Sequence, residues 1–172
     1  MNIWVCAKNE ISMYAYRYRP SHLLTILDVG DHQLTPYGLK RDNHKSLFFM
    51  DTEKKHKQDG PKFDHCLDII DWTNKLPDES TVLVHCYAGM CRSTATAMAM
   101  YVAKNGNDKI NAAAKWILDI RPIAMPNLLM AEYYDEILDA DGKFYAACKA
   151  INKNAMGYLL RGLAEADDES EN

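Results

Sequence analysis

The chain has 172 residues, 48% of them apolar and 26% charged, with Lys+Arg 20 against Asp+Glu 24 and a formal net charge of −4. These values fit one domain with a core of its own and exclude disordered, collagen-like and fibrous classes. The mild acidity argues against a nucleic-acid partner.

No apolar run approaches the ~20 residues that a membrane span requires. The opening residues, MNIWVCAKNE, lack the basic-then-apolar pattern of a signal peptide, so a cytoplasmic location is expected. Five cysteines at positions 6, 66, 86, 91 and 148 are odd in number and irregular in spacing, which reads as reduced thiols. The pairs His65-Cys66 and His85-Cys86 lack metal-ligand spacing, and no metal is expected.

In chain order, Ile3–Cys6, Leu23–Leu27 and Leu47–Met50 read as strands. Pro61 opens a helical pattern with Phe63, Cys66, Leu67 and Ile70 on one face, closed by Leu76-Pro77. Thr81–Val84 is short, β-branched and apolar throughout, as expected of a strand covered on both faces.

From Ser93 to Lys104 the chain turns helical, with Gly106 placed as a C-cap. Asp108 is positioned to N-cap a helix whose face is Ile110, Ala113, Ala114 and Ile117. Another helix follows Pro126-Asn127, with Met130, Tyr133, Tyr134 and Ile137 on one side, and 143–163 is weakly helical. The fold class is α/β: a short, mainly parallel central sheet flanked by helices, with a helical C-terminal half. The expected organisation is a single domain over 1–163 and an acidic, disordered tail over 164–172.

The informative stretch is Val82-Leu83-Val84-His85-Cys86-Tyr87-Ala88-Gly89-Met90-Cys91-Arg92-Ser93-Thr94. It reads as a buried strand, a tight loop and a helix start. A loop so placed points successive backbone N–H groups of Tyr87, Ala88, Gly89, Met90, Cys91 and Arg92 into one concavity, and the helix adds its positive end. Gly89 supplies the backbone freedom for the curl. A cysteine at the base of such a socket, here Cys86, is favoured as the thiolate nucleophile. Arg92 offers a planar fork for two phosphate oxygens. Ser93 can hydrogen-bond the sulfur, and His85 can order the loop.

His-Cys-x-x-Gly-x-x-Arg-Ser resembles the signature of the cysteine-based protein tyrosine phosphatases at each defined position. The mid-chain placement is similar to the small dual-specificity type, and the Ala88-Gly89 form is shared with bacterial and viral members. Arg121-Pro122…Pro126-Asn127 also resembles that family's segment, so the resemblance covers roughly residues 22 to 140. Many relatives carry Ser where this chain has Cys91. A second thiol there would either capture an oxidised Cys86 as a disulfide or serve as a small packing residue.

The resemblance implies a general acid on a loop after a strand, some thirty residues before the cysteine. Asp51 fits that slot, and Asp59 on the same loop is the alternative. Asn127 would brace the phosphate loop or cap its own helix. The run Lys54-Lys55-His56-Lys57, with Lys40-Arg41 and His44, reads either as solvated loop or as a field that steers an anionic substrate.

The only glutamines are Gln33 and Gln58, both before the nucleophile, so Asp51 would serve as acid and then as base. The expected function is that of a protein tyrosine phosphatase, with dual specificity open. It would act on a phosphotyrosine protein, bind phosphate or another oxyanion in the loop, and need no cofactor. The alternatives are a same-fold phosphatase for phosphoinositide or RNA 5′-phosphate, and a non-catalytic phosphate-binding module.

Overall fold

Apolar side chains on both alternating faces of residues 81–86 suit a strand buried from either side. In the computed structural model, which describes residues 1–155, they form β4 (Thr81–Cys86) inside a four-stranded sheet. Its neighbours are β1 (Asn2–Ala7) and β2 (His22–Leu27), and β3 (His44–Phe48) completes the order β1-β4-β2-β3. Every pairing is parallel, with Ala7 opposite Cys86 and both Cys6 and Thr25 opposite His85. All strand C-termini therefore open on one edge, where open parallel sheets bind their ligands.

The helices are α1 (Ile11–Tyr18), α2 (Phe63–Lys75), α3 (Arg92–Asn105), α4 (Ile110–Ile120) and α5 (Leu128–Ile137). A sixth, α6, starts at 143 and continues to 155, the last described residue. On one face of the sheet Val82, Val84 and Cys86 of β4 join Ile3, Val5, Leu24 and Ile26 in the main core, under the helices of the C-terminal half. On the other, Leu83, Cys6 and Leu23 pack with Ile11 of α1 in a smaller cluster. The period-two alternation of β4 thus feeds both layers.

α3 lies between the sheet and α2, α4 and α5, so it is buried from Arg92 to Met100 and again at Val102. Its Ala, Ser and Thr side chains permit that close approach, while Met98 and Met100 fill the remaining space. Burying each of those methionines stabilises the fold by roughly 1.5–3 kcal/mol. The helix ends at Gly106 as expected, with the Gly106 N–H donating to the Val102 carbonyl.

Several expectations need correction. β3 starts at His44 rather than Leu47; at its far end the Phe49 N–H still donates to the Leu27 carbonyl, but the Met50 N–H turns to Asp59. The buried face of α2 is Cys66, Ile69, Ile70 and Thr73, while Leu67 is exposed and Phe63 packs edge-on against Tyr133. Asp108 does not cap α4: it sits in a 3-10 turn, Asn107–Lys109, and pairs with Lys109.

Helix α1 escapes the periodicity analysis because Ile11 is its one buried residue. It is held instead by ring stacking of Tyr18 on Trp4, with centroids 3.8 Å apart. The expected domain boundary at 163 and the tail 164–172 lie outside the described residues.

Candidate active site

β4 ends at Cys86 and α3 begins at Arg92, so residues 87–91 turn the chain from sheet edge to helix. Each carbonyl of that turn is engaged from outside. Tyr87 O accepts from Lys8 N (3.0 Å), Met90 O from Met125 N (3.0 Å) and Cys91 O from Asn127 N (3.2 Å). Ala88 O and Gly89 O accept from the Arg121 guanidinium, at 3.2 and 3.0 Å. The N–H groups of residues 87–91 have no protein acceptor among the described residues. A loop with its carbonyls tied outward and its amides free is a preorganised anion cradle.

Gly89 is needed at the tightest point. Its φ is +67°, and a Cβ there would lie 2.6 Å from Cys6 C and 2.7 Å from Ala7 N. The end of β1 therefore presses directly on the loop.

Cys86 is buried at the base, its Sγ 3.1 Å from Ser93 Oγ. That hydroxyl can donate to the sulfur, and α3 begins six residues beyond Cys86. His85 is fully buried and anchors the strand end through Nε2 to Thr25 Oγ1 (2.7 Å), with Nδ1 3.4 Å from the Cys86 carbonyl. Thr25 Oγ1 also meets His44 Nε2 (2.8 Å), whose Nδ1 meets Thr35 Oγ1 (2.9 Å). One assignment satisfies the chain: His85 Nδ1–H donates to the Cys86 carbonyl, Thr25 to His85, His44 to Thr25 and Thr35 to His44. Burial pushes the His85 imidazole down to about 4, so the ring is neutral at pH 7.

Arg92 is buried and asymmetric in its bonding. Nη1 donates to Asp28 Oδ1 (2.7 Å) and to the Phe49 carbonyl. Its Nε is buried without a hydrogen-bond partner, which leaves the Nε–Nη2 edge for a ligand. Asp51 Oδ2 lies 3.8 Å from that Nε, and Asp51 Oδ1 accepts from Asn127 Nδ2 at 2.8 Å. Asn127 Oδ1 caps α5 by accepting from Met130 N, and the Asn127 backbone N–H donates to Cys91 O. Asp59 is exposed and meets the site loop through its backbone, its carbonyl accepting from Met50 N.

No family model matches the chain. Over 110 residues, 64% of the chain and 51% of the relative, it is 29% identical to dual specificity protein phosphatase 1 of Arabidopsis thaliana; it spans about half the length of that curated relative. Among solved structures, Cydia pomonella PTP-2 phosphatase matches with TM-score 0.57 at 18% identity, covering 80% of this chain and 84% of that one. The human tyrosine phosphatase-like serine/threonine/tyrosine-interacting protein matches with TM-score 0.61 at 17% identity, covering 78% and 89%. The fold is that of the tyrosine and dual-specificity phosphatase structures it matches.

Within this phosphatase fold the remaining expectations sort by geometry. Tyr87, the first residue of the loop, has an exposed side chain, with Lys8 Nζ 5.8 Å from its ring centroid. Cys91 is half-buried at the start of α3; burial, and then the adjacent Asp51 carboxylate, push its thiol up to about 12. All five cysteines are free.

His44 does not add a cation to the site: burial lowers its pKa, and it belongs to the Thr25–His85 chain. In the basic run Lys55 is paired with Glu132 at 2.5 Å, which leaves Lys54, His56 and Lys57 exposed on the Asp51 loop. His65 stacks on Phe49 while Cys66 enters the core, so the pair points two ways. No helix among the described residues is long and apolar enough to cross a membrane.

Sequence reasoning missed the partners of the loop: Asp28 on Arg92, Thr25 on His85, and Glu10 on Arg121 at 3.0 Å. Only Asp28 carried a usable signal, as a carboxylate just after a strand that ends on the site's edge.

Proposed function

We propose that the chain is a phosphomonoesterase that dephosphorylates phosphotyrosine proteins through a phosphocysteine intermediate. The observation that carries this reading is the Nε–Nη2 edge of buried Arg92, unpartnered at Nε, beside a cradle of free amides with a thiol at its base. The arrangement suits a tetrahedral dianion held by a bidentate fork.

In this mechanism the Cys86 thiolate attacks phosphorus, forming the S–P bond as the P–O bond to the substrate breaks. The loop amides and Arg92 hold the equatorial oxygens, where charge shifts in the transition state. Asp51 gives its proton to the departing oxygen, a step of the kind worth ~10² to 10⁴ in rate. Asp51, now a carboxylate, takes a proton from water as that water attacks phosphorus. The S–P bond breaks, and Ser93 Oγ–H stabilises the leaving thiolate.

Asp51 is preferred to Asp59 because its carboxylate is the one beside the Arg92 edge and held by Asn127. The exposed Lys54 and Lys57 flank that loop and favour anionic substrates by steering.

The test is phosphate release from matched phosphotyrosine and phosphoserine peptides in chelator, with Cys86→Ser as control. Release from phosphotyrosine that Cys86→Ser abolishes, with tungstate binding kept, is the expected result; added release from phosphoserine assigns dual specificity. Turnover retained by Cys86→Ser overturns the covalent route. No release from either peptide, with inositol lipid or RNA 5′-phosphates hydrolysed instead, overturns the protein substrate. No release from any of these leaves the non-catalytic binding module.

A further inference from the structure

Two of the carbonyls that shape the anion cradle, Ala88 O and Gly89 O, are held by one side chain that lies outside the pocket. Arg121 reaches them from the turn between α4 and α5, through Nη2 and Nε. Its third nitrogen, Nη1, is 3.0 Å from Glu10 Oε2, and the same carboxylate oxygen accepts from Ala7 N at 2.7 Å. Ala7 is the β1 residue paired with Cys86, and its nitrogen is one of the atoms pressed against Gly89. The guanidinium is nearly buried, so it has little water to replace these partners.

The geometry points to a Glu10–Arg121 clamp that positions the phosphate loop for oxyanion binding, with both residues acting through the loop rather than on the ligand. All peptide bonds in the described chain are trans. In a trans unit the C=O and N–H point in opposite directions. Fixing Ala88 O and Gly89 O on the outside therefore fixes the N–H groups of Gly89 and Met90 toward the cradle.

The positive charge on those two oxygens also polarises the peptide units and strengthens their amides as donors. Glu10 keeps the planar fork in register: one guanidinium edge spans the two carbonyls while the other is held to the end of β1. Lysine at 121 would preserve the charge but not the three-point contact.

The inference rests on the phosphatase reading for its catalytic consequence but on oxyanion binding for its test. Tungstate affinity, the melting midpoint, and kcat and KM on p-nitrophenyl phosphate are measured for the wild type, Glu10→Gln, Arg121→Lys, Arg121→Met and the Glu10→Gln/Arg121→Met double variant. Ile117→Val, a core change in α4, serves as the stability control.

Arg121→Met should weaken tungstate about tenfold or more, the loss expected of charge-assisted bonds. Glu10→Gln and Arg121→Lys should give smaller losses. The double variant should be little worse than Arg121→Met alone, because the two side chains act as one unit. Ile117→Val should leave tungstate affinity unchanged at a comparable drop in midpoint.

Tungstate affinity within twofold of wild type in Arg121→Met overturns the clamp, as does an equal loss in Ile117→Val. Should Arg121→Met fail to fold, unchanged affinity in both Arg121→Lys and Glu10→Gln overturns it equally. A wild type that binds tungstate without hydrolysing any ester overturns the proposed function and leaves the clamp to be judged by the affinities. One that does not bind tungstate overturns the clamp, since there is then no cradle to position.

Discussion

Gly89→Ala isolates what the close approach of β1 demands of the loop at residues 87–91. The new Cβ would face Cys6 C at 2.6 Å, Ala7 N at 2.7 Å and Arg121 Nη2 at 2.7 Å, on a backbone with φ +67°. A non-glycine residue in the left-handed region costs roughly 1–2 kcal/mol. The overlap adds about 1–3 kcal/mol, because two of the three atoms are backbone of a strand paired along its length with β4 and cannot swing aside. The expected total is about 2–5 kcal/mol.

Gly142→Ala is the matched comparison, with φ +77° and nothing within 4 Å of its Cβ position. It should show the conformational cost alone, about 1–2 kcal/mol. Urea unfolding of both variants, read as midpoint shifts at constant slope, measures the difference. Turnover of p-nitrophenyl phosphate distinguishes the two ways the loop can yield. If it moves away from β1 to relieve the overlap, stability is partly spared and the rate falls, since a 1 Å misplacement can cost ~10²-fold. A Gly89→Ala protein as stable as Gly142→Ala and fully active would refute the close-packing account.

Other consequences follow from single contacts. His85 titrates near 6.5 when unfolded but at about 4 when folded, because burial disfavours its charged form. The unfolded chain therefore binds a proton that the native state refuses between those values. Stability from this group is complete above pH 6.5 and falls by about 3 kcal/mol as pH drops to 4. Urea midpoints between pH 7.5 and 4.5 should show the decline, with a shallower slope in His85→Gln; a flat profile in the wild type contradicts it.

Thr25→Val removes the hydroxyl between two imidazoles and strands buried His85 Nε2 without a partner. It should cost about 1–3 kcal/mol, measured by urea unfolding, whereas a neutral change would remove His85 from the support of the loop. Asp51→Ala should slow hydrolysis of esters with poor leaving groups ~10²-fold or more, and those with good leaving groups much less. A larger loss in Asp59→Ala, across a leaving-group series, would move the acid to that residue.

The candidate loop was legible because its chemistry is contiguous. His85, Cys86, Gly89, Arg92 and Ser93 occur in one strand–turn–helix unit, and backbone geometry alone converts their spacing into a cradle. Asp51 could be nominated for a related reason: it follows a strand that ends on the same edge as β4. Buried β4 and α3 were equally readable, since an apolar run and an Ala/Met-rich helix report their own burial.

What the sequence could not determine are the supports brought in from distant positions: Glu10 and Arg121 outside the loop, Asp28 on Arg92, and Thr25 with His44 behind His85. Apart from Asp28, which follows a strand ending on the site's edge, each is a polar residue of a common surface type, and nothing local distinguishes one that will meet a partner far along the chain. The parallel register decides it. Setting Ala7 beside Cys86 and Thr25 beside His85 brings β1 and β2 against the loop, and with them the polar groups that support it.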